Sequence, residues 1–227
     1  MVLTHAALVK TTLLDYPGEV ASIIFTPRCN LRCPYCHNPS LVIQTDKNED
    51  LLPLDEIRAF LNKRKKLIGA VVISGGEPLI HENIGDLVTY IKSLGLKVKI
   101  DTNGLYPDQL IKLKADYIAM DIKTSPHNYY KLGLQGDRNK LLKSISYIIE
   151  SGIDHEFRTT VTEEIIDEND IAELVPVLKN AQHWYFTPFQ NGNTLDPSFG
   201  DKESPSDEYM ETLKSIAENA GIKSSIR

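Results

Sequence analysis

The three cysteines of this 227-residue chain, Cys29, Cys33 and Cys36, fall within eight consecutive residues. Their spacing, C-x3-C-x2-C, sets three soft ligands on one short loop, and that clustering points to a metal. An odd number of crowded thiols, with no secretory signal, fits a reducing cytoplasm better than a disulfide framework. Three thiolates can take three irons of an iron–sulfur cube and leave the fourth open to another ligand. The alternative is tetrahedral zinc with His37 as fourth ligand, which ligand count and softness also permit. Pro34 and Pro39 discourage helix here, so the thiolates can splay around a centre instead of lining one face.

The elements that must position this loop are legible as an alternation. Short β-branched or aromatic-rich runs predict strands at 20–26, 70–74, 97–102, 117–122, 156–161 and 184–189. Between them, helical periodicity predicts helices at 54–66, 84–94, 107–114, 140–151 and 169–178, with 206–220 closing the chain. Gly69, Gly95, Gly152 and Gly221 follow helical stretches as C-caps. Repeated β-then-α order implies a parallel sheet with helices outside it. Six units predict an α/β fold of partial (β/α)6 TIM-like barrel type, with an open doubly wound sheet as the rival.

The unusual polar residues gather at the C-terminal ends of those strands, the edge that carries active sites in parallel α/β folds. After the cysteine loop come Ser74-Gly75-Gly76-Glu77-Pro78, Asp101-Thr102-Asn103-Gly104 and Asp121-Ile122-Lys123. Arg158 lies within the fifth strand, and Pro188-Phe189-Gln190 follows the sixth. Each cluster also has a bland reading. Gly75-Gly76 can be a tight turn, and Asn103 a self-satisfied Asx turn. Asp121 and Lys123, two apart on one strand face, can form a structural ion pair, and Arg158 can pair with a neighbouring carboxylate.

Composition narrows the classes. A formal charge of −6 and a pI near 5.5 argue against a nucleic-acid surface, and no apolar run approaches a membrane span. The run Lys63-Arg64-Lys65-Lys66 reads as the solvated C-terminal end of a helix. His5, His81, His127, His155 and His183 receive no role.

Cys29-x3-Cys33-x2-Cys36 together with Gly75-Gly76-Glu77-Pro78 resembles the radical S-adenosylmethionine (SAM) superfamily over essentially the whole chain. The resemblance implies one radical SAM domain over residues 1–227, with its core at about 18–190 and a closing helix at 206–220. It implies a [4Fe–4S] cluster on Cys29, Cys33 and Cys36, whose open iron chelates the amino and carboxylate groups of SAM. Reductive cleavage then yields a 5′-deoxyadenosyl radical, chemistry supplied by the cofactor while the protein fixes geometry. The segment between Cys36 and Gly75 holds no further cysteine, so thiolates can ligate one cluster only.

Within the superfamily, Tyr35-Cys36-His37-Asn38, Asp101-Thr102-Asn103-Gly104 and Asp121-Ile122-Lys123 resemble the motifs of glycyl radical enzyme activating enzymes. By that similarity Gly76, through its backbone, and Glu77 meet the SAM amino group, and Lys123 pairs with the SAM carboxylate. Asp101, Thr102 and Asp121 surround a monovalent cation, and Arg158 approaches the ribose or nearby backbone. Tyr35, His37, Asn38, Gly75 and Asn103 complete the expected cofactor-binding set. The implied partner is a glycyl radical enzyme, with a reduced flavodoxin or ferredoxin as electron donor. Leu14-Asp15-Tyr16-Pro17-Gly18 resembles the activators of anaerobic ribonucleoside-triphosphate reductase, as do Phe157-Arg158-Thr159-Thr160-Val161 and the segment from Tyr117 to Lys123. Pyruvate formate-lyase activators usually carry glycine at the place of Tyr16. They also often set a histidine by the adenine where this chain has Pro188-Phe189-Gln190, which leaves the adenine contacts near Gln190 open. The remaining readings are an activator of another glycyl radical enzyme, a small-molecule enzyme such as 7-carboxy-7-deazaguanine synthase, and a zinc-stabilised binding module.

Overall fold

The computed structural model describes residues 1–43, 50–133 and 137–227. In chain order its elements are β1 (His5–Thr12), β2 (Ala21–Thr26), α1 (Pro39–Val42), β3 (Leu52–Pro53), α2 (Leu54–Arg64), β4 (Ala70–Gly75), α3 (Ile84–Ser93) and β5 (Lys97–Thr102). There follow α4 (Pro107–Leu110), β6 (Tyr117–Asp121), α5 (Arg138–Glu150), β7 (Asp154–Val161), α6 (Glu168–Leu178), β8 (Trp184–Pro188), α7 (Asp207–Asn219) and β9 (Ser224–Ile226). Contacts divide the chain into two compact units. One comprises Met1–Asn30, Ser40–Thr102 and Asp108–Ile118; the other comprises Leu31–Pro39, Asn103–Pro107 and Ala119–Arg227.

In the first unit the strand order is β3-β1-β2-β4-β5. β2, β4 and β5 are parallel, with Ala21 level with Ala70 and Ala70 with Lys97. β2 and β4 read as near-continuous apolar runs because both faces are covered. Tyr16, Ala21, Ile23, Ala70 and Val72 form one packed cluster, against which Phe25 and Tyr117 lie. β1 joins antiparallel to β2, and β3 to β1. Neither was foreseen: β1 buries only Ala6 fully, so alternation barely marks it, and β3 has two residues.

In the second unit β7, β8 and β9 run parallel, and β6 lies beside β7. Asp167 caps α6 in a reciprocal box with Asp170, and Ser206 caps α7. β9, three residues at the end of the chain, carries no sequence signal and exists by adding to β8.

All six expected strands and six expected helices form, β5 with the expected bounds and the others with one or both ends shifted. Expected helix 107–114 shortens to Pro107–Leu110. Gly95, Gly152 and Gly221 adopt the left-handed conformation of a cap, whereas Gly69 does not, and its N–H donates to Val20 O at 2.8 Å. Pro39 opens α1, the first helical position tolerating its missing N–H. No helix among the described residues is long and apolar enough to cross a membrane.

Candidate active site

In the first unit, parallel register sets Thr26, at the end of β2, level with Gly75, at the end of β4. The strand ends then continue side by side. Gly76 N–H donates to Thr26 O at 2.8 Å and Glu77 N–H to Arg28 O at 2.9 Å. A Cβ on Gly76 would lie 1.9 Å from Arg28 O and 3.2 Å from the Cys29 nitrogen. Gly75 holds φ +121°, a conformation that side chains rarely adopt. The glycine pair therefore serves a turn and, equally, a close approach of two backbones. Arg28, immediately before Cys29, has φ +69°, an uncommon conformation for a non-glycine residue.

Glu77 is fully buried. Its Oε1 accepts from Leu79 N–H at 3.0 Å, capping the 3₁₀ turn Pro78–Ile80, and from the Thr102 hydroxyl at 2.7 Å. Two donors on one oxygen fix the carboxylate's orientation. Asp101 lies 3.2 Å from the Lys99 ammonium, which also donates to Asp15 O at 2.8 Å. Lys99 and Asp101 share a face of β5 by the period of two. The reading of the sequence passed over Lys99, although its signal is the same charge pair two apart that drew notice at Asp121 and Lys123.

The second unit holds Cys33, Tyr35, Cys36, His37 and Asn38 on one loop. Cys33 is buried, Cys36 is half-buried, and Cys36 N–H donates to Cys33 O at 3.0 Å. Residues 190–200 brace this loop: Leu195 N–H donates to Cys36 O at 2.9 Å and Asp196 N–H to Pro34 O at 3.0 Å. His37 Nε2 sits 2.7 Å from the Gln190 carbonyl oxygen, and its ring lies 5.4 Å from that of Phe189. A carbonyl can only accept, so Nε2 carries the proton and donates, which removes it as a zinc ligand through that nitrogen. Gln190, where the sequence left contacts open, is thus tied to the cysteine loop. Asn38 is exposed. Tyr35 is buried, and its hydroxyl has no hydrogen-bond partner among the described residues. Burial, followed by the nearby Cys33 and Asp121 charges, pushes the phenol well above its ordinary pKa.

Asp121 is the hub of this unit's charges. Its Oδ1 accepts from Arg158 Nε at 2.7 Å and its Oδ2 from Lys123 Nζ at 3.0 Å. Burial alone would raise the Asp121 pKa, but the guanidinium and the ammonium outweigh it and hold the carboxyl well below the usual range. The bland readings of both residues are therefore observed: Asp121 and Lys123 form an ion pair, and Arg158 meets a carboxylate. Asn103 is also an Asx turn, its Oδ1 accepting from Leu105 N–H at 3.1 Å.

Beneath Lys123 lies support that the sequence did not reveal. Tyr129 OH is 3.4 Å from the Lys123 amide nitrogen, which donates to it. Asp170 Oδ1 accepts from the Thr124 hydroxyl and the Ser125 amide, each at 3.2 Å, and from Asn128 Nδ2 at 2.8 Å. One buried carboxylate on α6 thus pins the segment that follows Lys123. An aspartate at the third position of a capped helix gave no sign of this second duty.

Known proteins share this architecture. The profile of the Radical SAM superfamily matches residues 23–175. A Methanocaldococcus jannaschii protein, provisionally named a glycyl-radical enzyme activating enzyme, is 31% identical over 93% of this chain and 90% of its own length. The pyruvate formate-lyase-activating enzyme of Clostridium pasteurianum is 29% identical, covering 78% of each chain. Among solved structures, a domain of pyruvate-formate lyase-activating enzyme from Bacteroides vulgatus matches with a TM-score of 0.57 at 21% identity, over 70% of this chain and 99% of that one. The expected α/β fold with a parallel sheet, of radical SAM type, is borne out.

Proposed function

Because the chain belongs to the radical SAM superfamily, which implies a [4Fe–4S] cluster and SAM, we propose that it is an activating enzyme that installs a glycyl radical on a partner enzyme. The observation that carries this reading is similarity to a protein of that name along nearly the full length of both chains. When bound, the reduced cluster and SAM supply a 5′-deoxyadenosyl radical that takes a hydrogen atom from a backbone glycine of the partner.

The donor set fits a cluster. Cys29, Cys33 and Cys36 lie on one segment and none is in a disulfide, and soft thiolates are what such clusters take. The polar groups fit a zwitterionic ligand. Glu77 offers an oriented, buried carboxylate to an ammonium, and Gly76 a backbone with no side chain to obstruct it. Lys123 offers an ammonium to a carboxylate, and Arg158 steadies its counter-charge Asp121. These residues bind and orient, and none is asked to move a proton. Tyr35, His37, Asn38, Gly75 and Asn103 shape the loops that present them. A monovalent cation fits less well. Asp101 already faces Lys99, Asp121 faces two cations, and the Thr102 hydroxyl donates to Glu77.

At the finer level the partner is anaerobic ribonucleoside-triphosphate reductase, with a reduced flavodoxin or ferredoxin as donor. The Leu14-Asp15-Tyr16-Pro17-Gly18 opening supports that choice over pyruvate formate-lyase. The test is anaerobic EPR of the reconstituted, reduced protein with SAM and, separately, each of the two enzymes from the same organism. A glycyl radical doublet with the reductase alone is expected. A doublet only with the lyase overturns the partner. No doublet in either, with 5′-deoxyadenosine still formed, overturns activation of both enzymes and favours a small-molecule substrate. Loss of 5′-deoxyadenosine in Cys33→Ala is expected; an unchanged yield overturns the radical chemistry itself.

A further inference from the structure

His81 is 1% exposed, and its ring spans 54 positions of sequence to reach the segment that introduces Cys29. Its Nε2 lies 3.0 Å from the Pro27 carbonyl oxygen. A carbonyl can only accept, so Nε2 carries the proton and donates. Burial, the largest influence, lowers the His81 pKa against the raising effect of the Pro27 carbonyl, which favours the neutral ring. Nδ1 is enclosed and has no hydrogen-bond partner among the described residues. An apolar side chain would fill this place without leaving a buried acceptor unsatisfied. The bond to Pro27 is what the histidine adds.

Pro27 O and Arg28 N–H belong to one peptide group, and that group is held at both ends. Arg28 N–H donates to Leu41 O at 2.6 Å, while His81 donates to Pro27 O. The next carbonyl, Arg28 O, accepts from Glu77 N–H at 2.9 Å. Glu77 and His81 flank the 3₁₀ turn Pro78–Ile80, so one short segment grips both carbonyls around Arg28. His81 is itself anchored in that turn, its N–H donating to Pro78 O and its carbonyl accepting from Ile84 N–H, each at 3.2 Å. All of these residues lie in the first unit.

Arg28 needs such a grip, since its φ of +69° lies where residues with side chains are uncommon. Return to a negative φ turns the planar Pro27–Arg28 peptide over and swings Pro27 O away from the imidazole. The penalty of the left-handed conformation is about that of one or two net hydrogen bonds. A peptide held at one end is therefore close to balance, and one held at both ends is fixed. We propose that His81 is a positioning residue for the cluster: by holding Pro27 O it locks Arg28 at positive φ and so sets where the chain presents Cys29. This deepens the proposed function and rests on its assignment of Cys29 as a cluster ligand.

The test uses the full chain as wild type, His81→Leu, His81→Gln, Arg28→Gly and the double variant Arg28→Gly/His81→Leu. Crystal structures, which need no bound cluster, are expected to show Arg28 at negative φ in His81→Leu and at positive φ in His81→Gln, whose amide can donate to Pro27 O. After anaerobic reconstitution, iron loss to a chelator is expected to be about tenfold faster in His81→Leu and unchanged in His81→Gln. Glycine takes positive φ without penalty, so the double variant should lose iron little faster than Arg28→Gly alone. Comparing those two cancels what the arginine side chain itself contributes. Arg28 still at positive φ in the His81→Leu crystal overturns the inference whatever the iron does. Equal acceleration in the leucine and glutamine variants, or the full acceleration in the glycine background, also overturns it, since a merely structural histidine gives both. A changed φ in His81→Leu with iron lost at the wild-type rate overturns it too, because the placement of Cys29 then does not depend on the lock. If φ changes as expected while even the wild type takes up no iron, the lock on Arg28 stands and the functional reading falls.

Discussion

Glu77 N–H donates to the carbonyl of Arg28 at 2.9 Å, which ties the turn after β4 to the residue that introduces Cys29. Two segments that are far apart in the chain are thereby joined through their backbones. The bond forms only because Gly76 lets the backbones close: its missing Cβ is the space that the Arg28 carbonyl occupies.

Gly76→Ala should accordingly be among the most disruptive single-atom-scale changes in the first unit. The new methyl would meet backbone, which cannot swing aside as a side chain can, so a loss of about 3 kcal/mol is expected. Urea unfolding measures it, and iron content after reconstitution should drop in parallel, because the displaced segment leads into Cys29. Wild-type stability and iron together would show that the two turns can separate freely.

Thr102 is a second lever on the same turn. Thr102→Val keeps shape but removes the hydroxyl that donates to Glu77 Oε1 at 2.7 Å. A buried carboxylate that loses a donor costs about 2 kcal/mol. SAM affinity should fall several-fold, and Thr102→Ser should restore both properties. A valine variant as tight as wild type for SAM would detach Glu77 from ligand binding.

Acid sensitivity should trace in part to Asp170. Burial raises its pKa, but hydrogen bonds from Ser125 and Asn128 outweigh burial and lower it. The folded-state value thus lies below the ordinary value of about 3.9. Its stabilisation is full above that ordinary value and fades as pH falls through the lower folded one. Asp170→Asn should cost about 2 kcal/mol near neutral pH and flatten the acid limb of stability below about pH 4. Denaturant melts at several pH values would show it, and an unchanged acid limb would remove Asp170 from the account.

Added potassium or sodium should leave SAM binding unchanged against a choline background. Lys99 faces Asp101 at 3.2 Å, and Arg158 and Lys123 face Asp121, so these carboxylates have counter-charges within their own units. A several-fold gain in affinity on adding potassium would mean that a metal ion takes a place these side chains do not fill.

Much of the fold was legible because parallel strands buried on both faces must be apolar runs: Ala70 to Gly75 and Ala21 to Thr26 could be little else. Two outer strands escaped notice for the converse reason. β1, beyond which only the two-residue β3 lies, and the three-residue β9 each leave residues exposed or half-buried, and their partners lend them order. The shortened α4 and the uncapped Gly69 mark the places where tertiary packing overrode local preference.

The sequence by itself determined which groups are available. Three thiolates lie within eight residues, a glycine pair precedes a glutamate, and charge pairs recur two apart; such local spacing is a property of the chain before it folds. Only the tertiary structure decided which charge meets which. Arg158 reaches Asp121 across 37 positions and Arg227 reaches Glu156 across 71, separations that carry no periodic signal. Buried carboxylates then select their cations by strand register and distance, because inside a protein an unmatched charge is costlier than almost any rearrangement that matches it.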